Sequence, residues 1–262
     1  MIADLFAETF GALSLPALVY GALVTFAAGW LRGYTGFGFA LAAVPALSLV
    51  LEPVLIVPVA MLLQFLAGVQ LLRKTRHQVE WPVIWPLLAG AAVGTPFGIW
   101  LLAALPAAPM RGFIGLILLI AVILLWRGVR FHLHPRSGLT LGIGGLSGIL
   151  NGGTAIGGPP VVIYFLASAR SAAVSRATLL MYFFFLSLGS IVGAVAVGLM
   201  TGRTLLLAAV MFPLMTLGNM LGDRGFDRSS ETGYRRIALG FLALIAVIAV
   251  GRAIEDLSAG GW

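Results

Sequence analysis

No charged residue stands between Val54 and Leu72, between Pro82 and Leu102, or between Leu205 and Gly222. Runs of this length match the roughly 20 apolar residues with which a helix crosses about 30 Å of hydrocarbon. Lipid offers the backbone no hydrogen-bond partner, so each run must close its bonds internally as a helix. The fold class expected is an all-α polytopic membrane protein. Composition agrees. The 262 residues are 60% hydrophobic and 10% charged, against about 25% charged in a soluble domain. The net charge of +7 comes from 16 basic and 9 acidic residues. The basic residues fall in short loops, which reads as an orientation signal rather than a nucleic-acid surface. The absence of cysteine excludes disulfides, thiolate metal sites and cysteine nucleophiles. Asp4 and Glu8 open the chain with no early Lys or Arg. That is not the basic start of a cleaved signal peptide, so the first apolar run is expected to stay in the mature protein.

Two stretches break the apolar pattern. The first is Gly33-Tyr34-Thr35-Gly36-Phe37-Gly38, after the run Ala12–Arg32. The second is Asn151-Gly152-Gly153-Thr154-Ala155-Ile156-Gly157-Gly158-Pro159-Pro160. Glycine and proline both break helices, and a bilayer tolerates broken backbone only where protein or a water-filled cavity covers it. After each break comes an apolar arm too short to span, Phe39–Leu51 and Pro160–Ala167. Each break therefore reads as the tip of a re-entrant helix hairpin.

The chain then divides into two repeats, 1–130 and 131–262. The first holds a hairpin at about 12–52 and spans at about 54–72, 82–102 and 110–127. The second holds a hairpin at about 138–168 and spans at about 174–200, 203–222 and 235–252. Gly29, Gly33, Gly38 and Pro45 stand 115 residues before Gly144, Gly148, Gly153 and Pro160, and Gly94 and Gly98 stand 124 before Gly218 and Gly222. Placing the loops Arg73–Arg76 and Arg127–Arg136 in the cytoplasm puts 12 of the 16 basic residues inside, Arg170 and Arg176 among them. Both termini are then outside. The hairpins enter from opposite faces, so the repeats are inverted, as in many secondary transporters. Ala12–Arg32 is long for one arm of a hairpin, and a full span there is the competing reading.

Paired interrupted segments point to a binding site near the bilayer midplane. Two short arms starting at the tips would aim free N–H groups and partial positive charge at one place, which suits an anion. The candidate substrate-binding residues are Thr35, Gly36, Gly38, Asn151, Gly152, Gly153 and Thr154. Arg32 is either the one cation near the site or a cytosolic anchor, and Asn151 either meets substrate or caps the break. Gly90, Gly94, Gly98, Gly218 and Gly222 read as helix-packing positions. Gly145-Leu146-Ser147-Gly148 has the form of a serine-protease motif, but His77, His132 and His134 all lie in loops, so no catalysis is expected. Nor is any cofactor or metal site. Glu52 and Asp223 read as interface residues.

At these glycines the chain resembles the sulfite exporter TauE/SafE family. The pattern reads Gly29-x-x-x-Gly33-x-x-Gly36-x-Gly38 with Pro45, then Gly144-x-x-x-Gly148 with Asn151-Gly152-Gly153 and Pro159-Pro160. The resemblance covers nearly the whole chain. It implies a bacterial inner-membrane permease for small anions such as sulfite, sulfonates and related organosulfur acids, and it allows a homodimer. Phe37 and Phe39 depart from it, standing where small residues are usual. The expected function is secondary transport of a small anion by alternating access, with the lipid bilayer and the anion as partners and no nucleic acid. An anion channel built on the same two hairpins is the alternative, and a membrane partner without transport is a third class.

Overall fold

The computed structural model describes residues 14–126, 137–166 and 171–227. The expected last span at 235–252 lies outside them, as do Arg127, Arg130, His132, His134, Arg136, Arg170, Arg228, Arg235 and Arg236. Among the described residues the chain is helical, with no strand. The helices are α1 (Leu15–Thr35), α2 (Phe39–Leu47), α3 (Pro53–Thr75), α4 (Trp81–Ala104), α5 (Ala107–Trp126), α6 (Ser137–Thr154), α7 (Gly158–Leu166), α8 (Ala172–Ala196) and α9 (Gly202–Asp227). Five of them, α1, α3, α4, α8 and α9, are long and apolar enough to cross a bilayer. Large apolar side chains point outward from these helices, as Trp85, Val93, Phe97, Trp100 and Val192 do, while Arg32, Gln64, Asn151 and Asn219 are buried. That distribution suits a lipid solvent.

Both breaks fold back as hairpins. In the first, the Tyr20 hydroxyl near the start of α1 donates to Ala46 C=O near the end of α2, at 3.1 Å. Ser48 Oγ donates to Val44 C=O and Arg111 Nε to Ser48 C=O, so the free carbonyl end of α2 is pinned to α5. In the second hairpin, Ser147 Oγ of α6 donates to Gly157 C=O at 2.6 Å. The 21 residues of α1 rise about 31 Å, the length of a full crossing. The first hairpin thus has one arm of spanning length and one short arm, which joins the two readings of Ala12–Arg32.

The hairpins are held by glycine seams to helices distant in sequence. Along α1 and α9, Gly29 lies on Met215 and Gly33 on Asn219, while Gly218 lies on Phe26 and Gly222 on Trp30. Along α6 and α4, Gly144, Gly148 and Gly152 lie on Leu87, Ala91 and Thr95, while Gly90, Gly94 and Gly98 meet Gly145, Ile149 and Gly153. At nearly all of these positions a methyl group would overlap the facing backbone. Small residues let the helix axes approach, and dispersion between the backbones replaces a hydrophobic force that lipid does not supply. In each seam the residue numbers rise together, so α1 runs parallel to α9 and α6 parallel to α4. α8 also runs parallel to α4, with Phe185 by Trp81 and Trp85 and Gly193 by Ile99. α3 packs against α8 through the stacked rings of Phe65 and Phe184.

Candidate functional site

The two tips are built alike. Thr35 Oγ1 is 2.8 Å from Leu31 C=O and accepts from Phe37 N–H, and Thr154 Oγ1 is 2.7 Å from Leu150 C=O and accepts from Ile156 N–H. The next residue carries positive φ in both, Gly36 at 83° and Ala155 at 56°, and its N–H closes on Arg32 C=O or Asn151 C=O. This equivalence sets Arg32, Gly33, Thr35 and Gly38 against Asn151, Gly152, Thr154 and Gly157, 119 residues apart. The sequence alignment at 115 was one helical turn off. A ladder of glycines four residues apart matches itself after a shift of four, so glycine alone could not fix the register.

The threonines thus brace their own tips. Gly36 and Gly38 occupy the left-handed region that a side chain strains to enter. Gly152 and Gly153 face the backbone of α4, in the same seam as the packing glycines. Asn151 is buried, and its Nδ2 donates to Ser190 Oγ of α8 at 2.8 Å. Its side chain reaches across to a neighbouring helix and makes no cap.

Arg32 is 1% exposed, which removes the reading as a cytosolic anchor. Its Nη2 donates to Gln64 C=O at 3.2 Å, and its Nη1 has no partner. Arg176 is close by, donating to the carbonyl of the next residue, Gly33. Gln64, half-way along α3, in turn sends its Nε2 to Ala155 C=O at 3.3 Å. One residue therefore links the guanidinium of the first hairpin to the tip of the second. A methyl on Gly158, the first residue of α7, would lie 3.9 Å from Leu41 Cδ1 in the first turn of α2, so the two short arms begin side by side.

Several polar contacts were not foreseen from sequence. Gln64 and Asn219 were visible as lone amides in apolar runs, but the partners of Gln64 lie 32 and 91 residues away. Asn219 Oδ1 is buried without a partner. Arg176, expected on the cytoplasmic side at the start of the 174–200 span, is buried in the second turn of α8. It donates to Gly33 C=O and pairs with Asp223 Oδ1 at 2.7 Å. Asp223, expected at the interface, is accordingly drawn in, its side chain 16% exposed. Ser147 accepts from Tyr182 OH at 2.8 Å while bonding Gly157 C=O, so its hydroxyl supports the second tip.

The model of the family described as sulfite exporter TauE/SafE matches residues 21–249. The chain belongs to the TauE/SafE family. Its members are membrane transporters rather than enzymes, and that match, together with five long apolar helices, makes this chain a multi-pass membrane transporter. No curated protein and no solved structure matches it. The match takes in both hairpins, both glycine seams and Arg32.

Proposed function

We propose that the protein is a secondary carrier for a small anion, with Arg32 as the anchoring cation between two inverted hairpins. The carrying observation is Arg32, buried with a donor left open and, among the described residues, no carboxylate bonded to it. An isolated buried cation costs several kcal/mol. A transient anion is the partner that would offset that cost and then leave. Gln64, Asn151 and the adjoining starts of α2 and α7 complete the shell on this reading, with Thr35, Gly36, Gly38, Gly152, Gly153 and Thr154 fixing the tips. The helix directions support inverted repeats. α4 and α8 run one way, α6 follows α4, and α9, sent back by the turn 197–201, runs with α1. The family match supports sulfite or a related organosulfur acid, moved by alternating access across an inner membrane.

The test is a thermal-shift series on purified protein with sulfite, methanesulfonate and acetate, followed by counterflow in proteoliposomes. A bound anion at a hundredfold excess over its Kd stabilises by about 2.7 kcal/mol. Wild type should shift with at least one sulfur oxyanion, and Arg32→Gln should not. Saturable counterflow supports a carrier and ohmic current a channel. An Arg32→Gln protein that shifts like wild type would remove Arg32 from the site.

A further inference from the structure

We infer that Asp223 is a proton-binding site coupled to the anion site, so that the anion and a proton cross together. The inference rests on the anion site proposed at Arg32. Among the described carboxylates, Glu52 and Asp227 are exposed and Glu80 precedes α4. Asp223 instead lies inside the bundle, one turn beyond Asn219, and pairs with Arg176 at 2.7 Å. Arg176 does three other things. It donates to Gly33 C=O in the first hairpin, lays its Cγ against Gly36, and holds its guanidinium 4.2 Å from the ring centroid of Phe226. The pair therefore ties the first tip to α9. The side chain of Asp223 keeps 16% exposure, enough for a proton to come and go.

The sign of the coupling follows from charge. Among the described residues, the charged and titratable groups on the helix stretches packed there are Arg176 of α8, Arg32 and Tyr34 of α1, and Arg224 and Asp227 of α9 itself. α3, packed on α9, ends in Arg73 and Lys74. An anion at Arg32 enters the field of Arg176 as well, because Arg176 donates to the carbonyl of Gly33, the residue next to Arg32, and packs on Gly36. It competes with Asp223 for Arg176 and repels the carboxylate, and both effects favour a proton on Asp223. By reciprocity the protonated carboxyl leaves Arg176 unpaired and strengthens anion binding. Protonation also breaks the ion pair between α8 and α9, whose arginine reaches the first hairpin at Gly33. One proton then accompanies one anion in the same direction. Net flux follows the sum of the two gradients, outward where the anion accumulates inside.

The experiment uses the full chain in proteoliposomes with labelled methanesulfonate, whose charge is constant near neutral pH, and a luminal pH dye. With membrane potential clamped, an outside pH lower by about one unit should drive about tenfold accumulation in wild type. The lumen should acidify in step with uptake. Asp223→Asn should lose the pH-driven accumulation yet still exchange methanesulfonate at equilibrium, and Asp223→Glu should recover the drive. Wild-type uptake with no change in luminal pH would overturn the inference whatever the variants do. So would an Asp223→Asn protein that still accumulates on a pH gradient, or one that is folded and exchanges nothing. If wild type exchanges neither methanesulfonate nor sulfite, the anion-site reading itself fails, which is a different result.

Discussion

With Arg32 as the proposed anion anchor, one side chain sets stability against function. The residue is 1% exposed and, among the described residues, its Nη1 has no partner, so its charge is buried without compensation. Arg32→Met keeps much of the volume and removes the charge. Replacing buried ionic groups by apolar residues of similar volume is often neutral or stabilising, by up to about 4 kcal/mol. The melting temperature of the empty protein should therefore rise with Arg32→Met, while counterflow is lost. A fall in both would show that Arg32 is a structural bond and not a vacant docking point. The two tips allow a second comparison of single residues. Ala155 holds φ 56° where the first tip has Gly36 at φ 83°. A Cβ in that region costs about 1–2 kcal/mol, and a glycine returns about 0.4–1 kcal/mol of unfolded-state entropy. Ala155→Gly should therefore raise the melting temperature slightly. Gly36→Ala should lower it, because the new methyl would be strained and only 2.8 Å from Arg176 Cγ. A rise at Ala155→Gly and a fall at Gly36→Ala are the opposite signs that backbone strain requires at the two positions, with the clash at Gly36 making the fall the larger.

At the scale of elements, the glycine seams carry the fold. A methyl on Gly152 would meet the carbonyl of Thr95, and one on Gly33 the carbonyl of Asn219, whereas one on Gly115 would meet nothing. Gly152→Ala and Gly33→Ala should each destabilise by about 1–3 kcal/mol, read as a lower melting temperature in detergent. Gly115→Ala should stay within about 0.5 kcal/mol of wild type. Much of this was legible in the sequence. The spacing of Gly90, Gly94 and Gly98 gave the packing face, and the two glycine-rich breaks gave the hairpins, because both follow from local periodicity and backbone freedom. What joins one element to another was not legible. The bond from Gln64 to Ala155 spans 91 residues and the pair Arg176–Asp223 spans 47, and no local pattern announces either. Asn219 stood out as a lone amide in an apolar run, yet its place beside Gly33 depends on which helix α9 meets. Arg176, at the start of the 174–200 span, reads from sequence as a cytoplasmic-side charge for the same reason. Its sequence neighbours are polar, and only packing against the first tip draws it inside.

The whole molecule makes a stricter demand, since two tips can meet only if their hairpins enter from opposite faces. The seams fix which ends of the helices lie together. α6 starts beside the start of α4, α1 starts beside the start of α9, and α3 ends where the turn Arg76–Gln78 leads into α4. Glu52, Ala104 and Thr201 should therefore share one face, and Gln78 and Gly138 the other. All five are exposed, and the chain has no cysteine to give background. Single cysteines at these positions can be labelled in intact cells with an impermeant maleimide. The basic residues Arg73, Lys74 and Arg76 beside Gln78 orient the molecule by the positive-inside rule. Glu52→Cys, Ala104→Cys and Thr201→Cys should label in intact cells, and Gln78→Cys and Gly138→Cys only after permeabilisation. The reverse pattern would keep the fold and invert its orientation. A pattern with Glu52→Cys and Gly138→Cys on the same face would do more damage. Both hairpins would then enter from one side, α1 could not run parallel to α9 while α6 ran parallel to α4, and the shared site bridged by Gln64 would have no topology that could build it.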